Sequence, residues 1–179
     1  MSPDLSIVVG VFPGFSWIRC DGKGSFLNSP EIKAFGDERI AAGETLLVID
    51  LESCTGMDST FMGTMAGLAS RISAKSGSVQ VADPGTRNRQ SLEDLGLDFM
   101  MEIDPPSASW RDNLQNIRSS LMPPSKPSSL PSLDRARHVL DAHSTLSRVN
   151  DANARAFDTV LKTLEQQVLS KPGPENGGR

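Results

Sequence analysis

The chain has 179 residues and a formal net charge of −4, from 18 lysines and arginines against 22 aspartates and glutamates. This acidic balance disfavours a general nucleic-acid binder, which needs basic residues to neutralise phosphates. No apolar run approaches the ~20 residues of a membrane span, and residues 1–4 lack the basic start of a signal peptide. Two cysteines are too few for a disulfide framework. We therefore expect a cytoplasmic protein, one domain with an appendage, that binds neither nucleic acid nor membrane.

Up to residue 104, strand-like and helix-like segments alternate, with turn residues between them. The expected elements are strands at 5–11 and 15–20, a turn at 21–24, a helix from Ser29 to Gly43, a strand at 46–49, a helix at 59–75, a strand at 79–82, a helix at 86–95 and a strand at 99–103. The first two strands flank a Pro-Gly turn and should form a hairpin. This order predicts an α/β domain with helices covering a mixed sheet.

The composition changes after residue 104. Residues 105–132 hold a short amphipathic helix, centred on 110–121, and a Pro/Ser-rich linker. Residues 133–170 contain one apolar stripe at helical spacing and predict a C-terminal amphipathic helix. As one piece it would be about 55 Å long, against roughly 30–35 Å for a 100-residue domain. The polar residues 171–179 are expected to be disordered.

Two phrases in residues 1–104 resemble a known family. The first is an apolar strand ending in Asp50, followed by Asp-Ser-Thr at residues 58–60; the second runs from Val81 through a Leu-Gly-Leu phrase to a last strand. Their order and separation are similar to those of the STAS domain, the fold of bacterial anti-sigma-factor antagonists. The sequence departs from the family's Asp-Ser-Ser-Gly-Leu-Gly pattern because Phe61 replaces the first glycine.

The resemblance implies a phosphoacceptor serine at the start of a helix. Ser59 is the candidate, Thr60 the alternative, and Asp58, Phe61 and Met62 are the expected partner-binding residues. The residues alone favour a plain helix cap at Ser59, which typically contributes about 1 kcal/mol. A phosphate there would add about −1.5 to −2 charges to a helix end that tolerates anions.

Other chemistry is weakly represented in the sequence. Cys54 reads as a loop-packing residue, and His138 and His143, five apart, fall on different faces of a helix rather than forming a metal pair. We find no catalytic triad and no phosphate-binding glycine loop. The sequence therefore predicts a protein that is not an enzyme, with no metal or other cofactor.

The apolar stripe of residues 133–170 has two interpretations. It packs back on its own domain, or it pairs with another chain, as in a homodimer, where Asn153 in the stripe could fix the register.

The leading functional hypothesis is a bacterial partner-switching regulator of transcription. The resemblance implies an anti-sigma factor or a GHKL-type serine kinase as partner, and a PP2C-like phosphatase that resets Ser59. The alternative is a non-switching adaptor that assembles a signalling complex through its C-terminal helix.

Overall fold

A computed structural model describes residues 6–125 and 131–170. The strands are β1 Ile7–Phe12, β2 Phe15–Cys20, β3 Gly22–Gly24, β4 Leu46–Asp50, β5 Cys54–Met57, β6 Ser78–Ala82 and β7 Glu102–Ile103. The α-helices are α1 Ser29–Ala41, α2 Ser59–Ser73, α3 Gly85–Asp94, α4 Leu114–Ser119, α5 Ser132–Ser147, α6 Asp151–Ala156 and α7 Asp158–Ser170. Short 3₁₀ helices cover Leu97–Phe99 and Ser109–Asn113. None of the described helices is long and apolar enough to cross a membrane.

The central sheet has five strands in the order β1-β2-β4-β6-β7. β1 and β2 form the expected antiparallel hairpin, and the other neighbours in the sheet are parallel. The predicted mixed α/β fold is therefore confirmed. Parallel strands place their carboxyl ends at one edge of the sheet, so Asp50, at the end of β4, lies next to the loop that leads to α2.

Alternate residues of the strands face two different cores. Ile18, Leu47 and Ile49 pack under α1 and α2 in the main core, which α5 joins through Leu146. Trp17 and its neighbours on the opposite face pack against Trp110 and Ile117 of the segment after residue 104. The short helix expected at 110–121 therefore covers the second face of the sheet.

The C-terminal extension is not one helix, which corrects the expectation for residues 133–170. α5 ends at Ser147, and the side chain of Asn150 caps α6 by accepting a hydrogen bond from the Asn153 amide at 2.7 Å. The reversal brings α7 back against α5. Asn153 is buried, and its amide donates to the Leu95 carbonyl at 2.9 Å, so it contacts the domain rather than a second copy of the stripe.

Two smaller differences have local causes. The turn expected at 21–24 contains β3, which pairs in parallel with β5 and forms a separate two-stranded sheet. The strand expected at 99–103 shrinks to two residues because Gly96, at φ 73°, begins a 3₁₀ turn that leaves Phe99 91% exposed. The linker residues 126–130 and the tail 171–179, expected to be disordered, lie outside the described residues.

Candidate functional site

The candidate site is the N-terminus of α2, where Asp58 is the cap. One carboxylate oxygen of Asp58 accepts from the Phe61 amide at 2.8 Å, and the other accepts from the Phe26 amide, also at 2.8 Å. An Asp at this position satisfies an otherwise unpaired helix amide and favours the positive end of the helix dipole. Asp58 therefore fixes the start of α2 and ties it to the loop before α1.

Ser59 is the first residue of α2, and it faces the C-terminal extension. Its hydroxyl lies 2.8 Å from Nε2 of His143 on α5. Nδ1 of the same ring lies 2.8 Å from the Val139 carbonyl, which can only accept, so in a neutral ring Nδ1 carries the proton and Nε2 accepts from Ser59. The ring also meets Phe157 edge-on, with 5.5 Å between the ring centroids. Ser59 is thus half-buried and partnered, where the sequence suggested a hydroxyl open to a second protein.

His138 makes a similar contact one and a half turns earlier on α5. Its Nε2 lies 2.7 Å from the hydroxyl of Ser29, the first residue of α1. Burial and the charge of Lys33 lower the pKa of His138, while Asp141 and Asp58 act in the opposite direction. His138 also lies 3.4 Å from the Thr64 hydroxyl on α2, so both histidines contact α2, and each meets the first serine of a helix.

The other predicted site residues lie deeper. Thr60 is 4% exposed and Met62 8%, and Phe61 is fully buried in the main core. The Phe61 ring packs where a side chain on Gly24 would otherwise be, which explains why a phenylalanine fits at this position. In this conformation Phe61 presents no surface to a partner, which corrects its expected place on a docking surface. The functional roles predicted for Asp58, Ser59, Thr60 and Met62 stay predictions.

A buried ion-pair network lies at the carboxyl end of β4. Asp50 is 0% exposed and accepts from Arg118 Nε at 2.9 Å, Arg19 Nη1 at 3.0 Å and Trp17 Nε1 at 3.1 Å. Burial alone would raise the pKa of Asp50, but the hydrogen bonds from Arg118 and the Glu52 amide, with both arginine charges, lower it overall. Arg118 therefore anchors α4 at the start of the loop that leads to Ser59.

The thiol of Cys54, on β5, lies beside the thiol of Cys20 at the end of β2, and both cysteines are free. The neighbouring Cys20 thiol, opposed by burial, lowers the pKa of Cys54 to about 6, and the same contact together with burial raises the pKa of Cys20. Cys54 is half-buried and Cys20 is buried. The sequence does not reveal this contact because the two cysteines are far apart in the chain. Their strands also belong to different sheets, β2 to the central sheet and β5 to the two-stranded one.

The structure also adds functional candidates that the sequence did not single out. His143 was noted only as half of an unsuitable metal pair, and no local motif marks its contact with a residue 84 positions away. Among residues 6–125 and 131–170, no group of three or more His, Cys, Asp or Glu residues could hold a metal ion.

Comparisons with known proteins identify the family of this domain. A family model for the STAS domain matches residues 6–109. Among solved structures, a Thermotoga maritima protein described as an anti-sigma factor antagonist aligns with a TM-score of 0.52 and 16% identity, covering 62% of this chain and 92% of its own. No curated protein matches significantly.

Two further solved structures align at lower TM-scores. An anti-sigma factor antagonist from Mycobacterium paratuberculosis has 23% identity and a TM-score of 0.49, with 66% of this chain and 99% of that chain covered. The Bacillus cell fate determinant SpoIIAA, in its phosphorylated form, has 21% identity and a TM-score of 0.48, with 62% and 97% covered. Since the family model spans more than half of the chain, the protein belongs to the STAS domain family.

Proposed function

We propose that this protein is an anti-sigma-factor antagonist whose partner binding is controlled by phosphorylation of Ser59. The observation that carries the proposal is a serine hydroxyl at the first position of α2, directly after a capping aspartate, within a STAS domain. The positive end of the helix dipole stabilises the negative charge of a phosphate there. The phosphate also adds charge at the surface where a partner would dock. Thr60 is a weaker acceptor because it is buried.

The proposed partners follow from the family. They are an anti-sigma factor or a serine kinase of the GHKL type, and a PP2C-like phosphatase would remove the phosphate. The protein itself acts by binding and catalyses no reaction. In a cell, its binding would free a sigma factor and so regulate transcription.

The adaptor alternative has less support. It needs the apolar stripe of the C-terminal extension to be free for another chain, whether a signalling protein or a second copy. Ala142 and Leu146 of α5 are instead buried against the protein's own domain. α7 has no buried residue and leaves Leu169 exposed, so α7 is the part of the stripe most open to a second chain.

The test combines phosphopeptide mapping with affinity capture. Mass spectrometry of protein purified from its native cells should find phosphate on Ser59. Ser59→Ala should still capture a GHKL-type kinase. Ser59→Asp should capture at least about tenfold less of it, since a carboxylate supplies part of the phosphate's charge. Thr86→Asp is the matched control because Thr86 is exposed in the first turn of α3, on another helix. Equal capture by Ser59→Ala and Ser59→Asp would refute the switch.

A further inference from the structure

The C-terminal hairpin, residues 132–170 comprising α5, α6 and α7, covers the surface that carries Ser59. α5 lies along α2 and is the helix whose packing against α2 is most extensive. It places His143 on the Ser59 hydroxyl and His138 3.4 Å from the Thr64 hydroxyl, about one and a half turns further along α2. A second protein that approached the start of α2 would meet α5 first.

Gly63 shows how closely the two helices approach. A Cβ atom built on Gly63 would lie 2.7 Å from the carbonyl carbon of Ala142, and the three nearest heavy atoms all belong to Ala142. The backbone of α5 therefore rests directly on α2, with no side chain of Gly63 between them. Docking of the C-terminal hairpin therefore depends on a glycine at this position.

A phosphate on Ser59 does not fit beneath α5. The Ser59 oxygen and Nε2 of His143 are already at hydrogen-bond distance, so three phosphate oxygens would have to occupy the space of the imidazole ring. The new charge would also lie beside the Asp58 carboxylate, which is held in place by two backbone amides. The steric overlap with His143 disfavours the phosphate only while α5 is docked, whereas Asp58 stays beside the phosphate in both states.

We propose that the C-terminal hairpin is an intramolecular occupant of the partner-docking surface around Ser59, and that hairpin docking and Ser59 phosphorylation exclude each other. This rests on the proposed function for the identity of the competing partner. In the modification, Ser59 Oγ bonds to the γ-phosphorus of a nucleoside triphosphate, the bond from that phosphorus to the bridging oxygen breaks, the diphosphate leaves and the hydroxyl proton passes to solvent. The hairpin must first leave Ser59, and the phosphate then prevents its return.

The first experiment measures hydrogen exchange on the purified full-length chain. Phosphoserine is incorporated at position 59 during translation, and the control chain carries it at position 86, in the exposed first turn of α3. Phosphoserine at 59 should raise the exchange of the α5 amides by at least about tenfold, because local opening governs exchange of helical amides. The β4 and β6 amides should keep their protection, and phosphoserine at 86 should leave α5 unchanged.

The second experiment uses no phosphate. Gly63→Ala should raise α5 exchange by a similar factor because its methyl group overlaps Ala142. Gly67→Ala, one turn later on α2, is the matched control: its Cβ would meet only the flexible end of the Arg71 side chain, 3.0 Å away. Both substitutions remove a helical glycine, so their intrinsic effects on helix stability are alike.

The outcomes separate this inference from the proposed function. Unchanged or slower α5 exchange with phosphoserine at 59 would overturn the inference, because the hairpin would then tolerate or bind the phosphate. An equal rise in the exchange of α5, β4 and β6 would also overturn it, since the hairpin would be an integral part of the fold. Neither result depends on a partner or a kinase. Absence of Ser59 phosphate in cells would refute the proposed function and leave the exchange results as they are.

Discussion

The buried pair of Asp50 and Arg118 gives the most quantitative stability prediction. Arg118 contacts Asp50 through Nε at 2.9 Å and Nη2 at 3.1 Å, so the two groups form a two-pronged pair around a carboxylate that is 0% exposed. Arg118→Met removes the charge, both hydrogen bonds to Asp50 and those to Glu52 and Asp83, but keeps the apolar stem. The substitution therefore leaves the buried Asp50 carboxylate with two fewer hydrogen-bond donors.

The expected loss follows from what Asp50 retains. Breaking a buried ion pair costs about 3–5 kcal/mol when the remaining charge is uncompensated. Asp50 keeps the Arg19 guanidinium, the Trp17 indole N–H and the Glu52 amide, each within 3.1 Å. We therefore expect Arg118→Met to lower the free energy of unfolding by about 2–3 kcal/mol.

Urea unfolding followed by tryptophan fluorescence suits this test. The chain has two tryptophans, and both Trp17 and Trp110 lie in the layer between the sheet and the segment that carries Arg118. A loss of this size lowers the urea midpoint by about 1–2 M. Arg89→Ala is the control because its ion pairs are 3.6 Å or longer and the side chain is 40% exposed, so we expect about 0.5 kcal/mol or less. Equal losses for the two variants would refute the reasoning.

Three of the site's titratable groups give further predictions. Because the pKa of His138 is lowered from 6.5 by burial and Lys33, its neutral form stabilises the fold above pH 6.5, and that stability falls as the pH drops below 6.5. The urea midpoint should therefore fall between about pH 7.5 and 5.5, with a smaller fall in His138→Gln; equal slopes would contradict this. Iodoacetamide at about pH 7 should label Cys54 and spare Cys20, with the labelled residue identified by mass spectrometry. Labelling of Cys54 should be slower in Cys20→Ala than in Cys20→Ser, because only serine keeps a hydrogen-bond donor beside Cys54. The pKa of Asp50 is held below its ordinary 3.8, so its stabilising effect is present above pH 3.8 and is lost as the pH falls further.

The central fold could be predicted because its strongest signals are local. The apolar run at 46–49 has the composition of a strand covered on both faces, and it forms β4. Ser29-Pro30 predicts a helix start, and α1 begins at Ser29. These elements follow from residues that are adjacent in the chain, so the spacing alone identifies them.

The features that sequence reasoning missed depend on contacts between distant residues. Gly22-Lys23-Gly24 has the composition of a turn, and it becomes a strand only because Cys54–Met57 supplies a parallel partner. Phe61 is expected from the sequence to bind a partner because it lies at the start of a helix, yet the missing side chain of Gly24 gives its ring a place in the core. His143 meets Ser59 only after the chain reverses, and no spacing rule relates two residues 84 positions apart.

α4 and the C-terminal hairpin bind at opposite ends of one short segment, residues 51–58. Arg118, on the face of the sheet away from α2, binds Asp50 where β4 ends, and His143, on the other face, binds Ser59 where α2 begins. Residues 51–58 between them include β5 and the capping Asp58. The Asp50 contact is buried and charge-assisted, whereas the Ser59 contact is a single hydrogen bond that is only half-buried. We therefore expect a phosphate on Ser59 to release the C-terminal hairpin before it loosens α4, because the added charge lies at the contact with α5 and α4 is held by the buried Asp50.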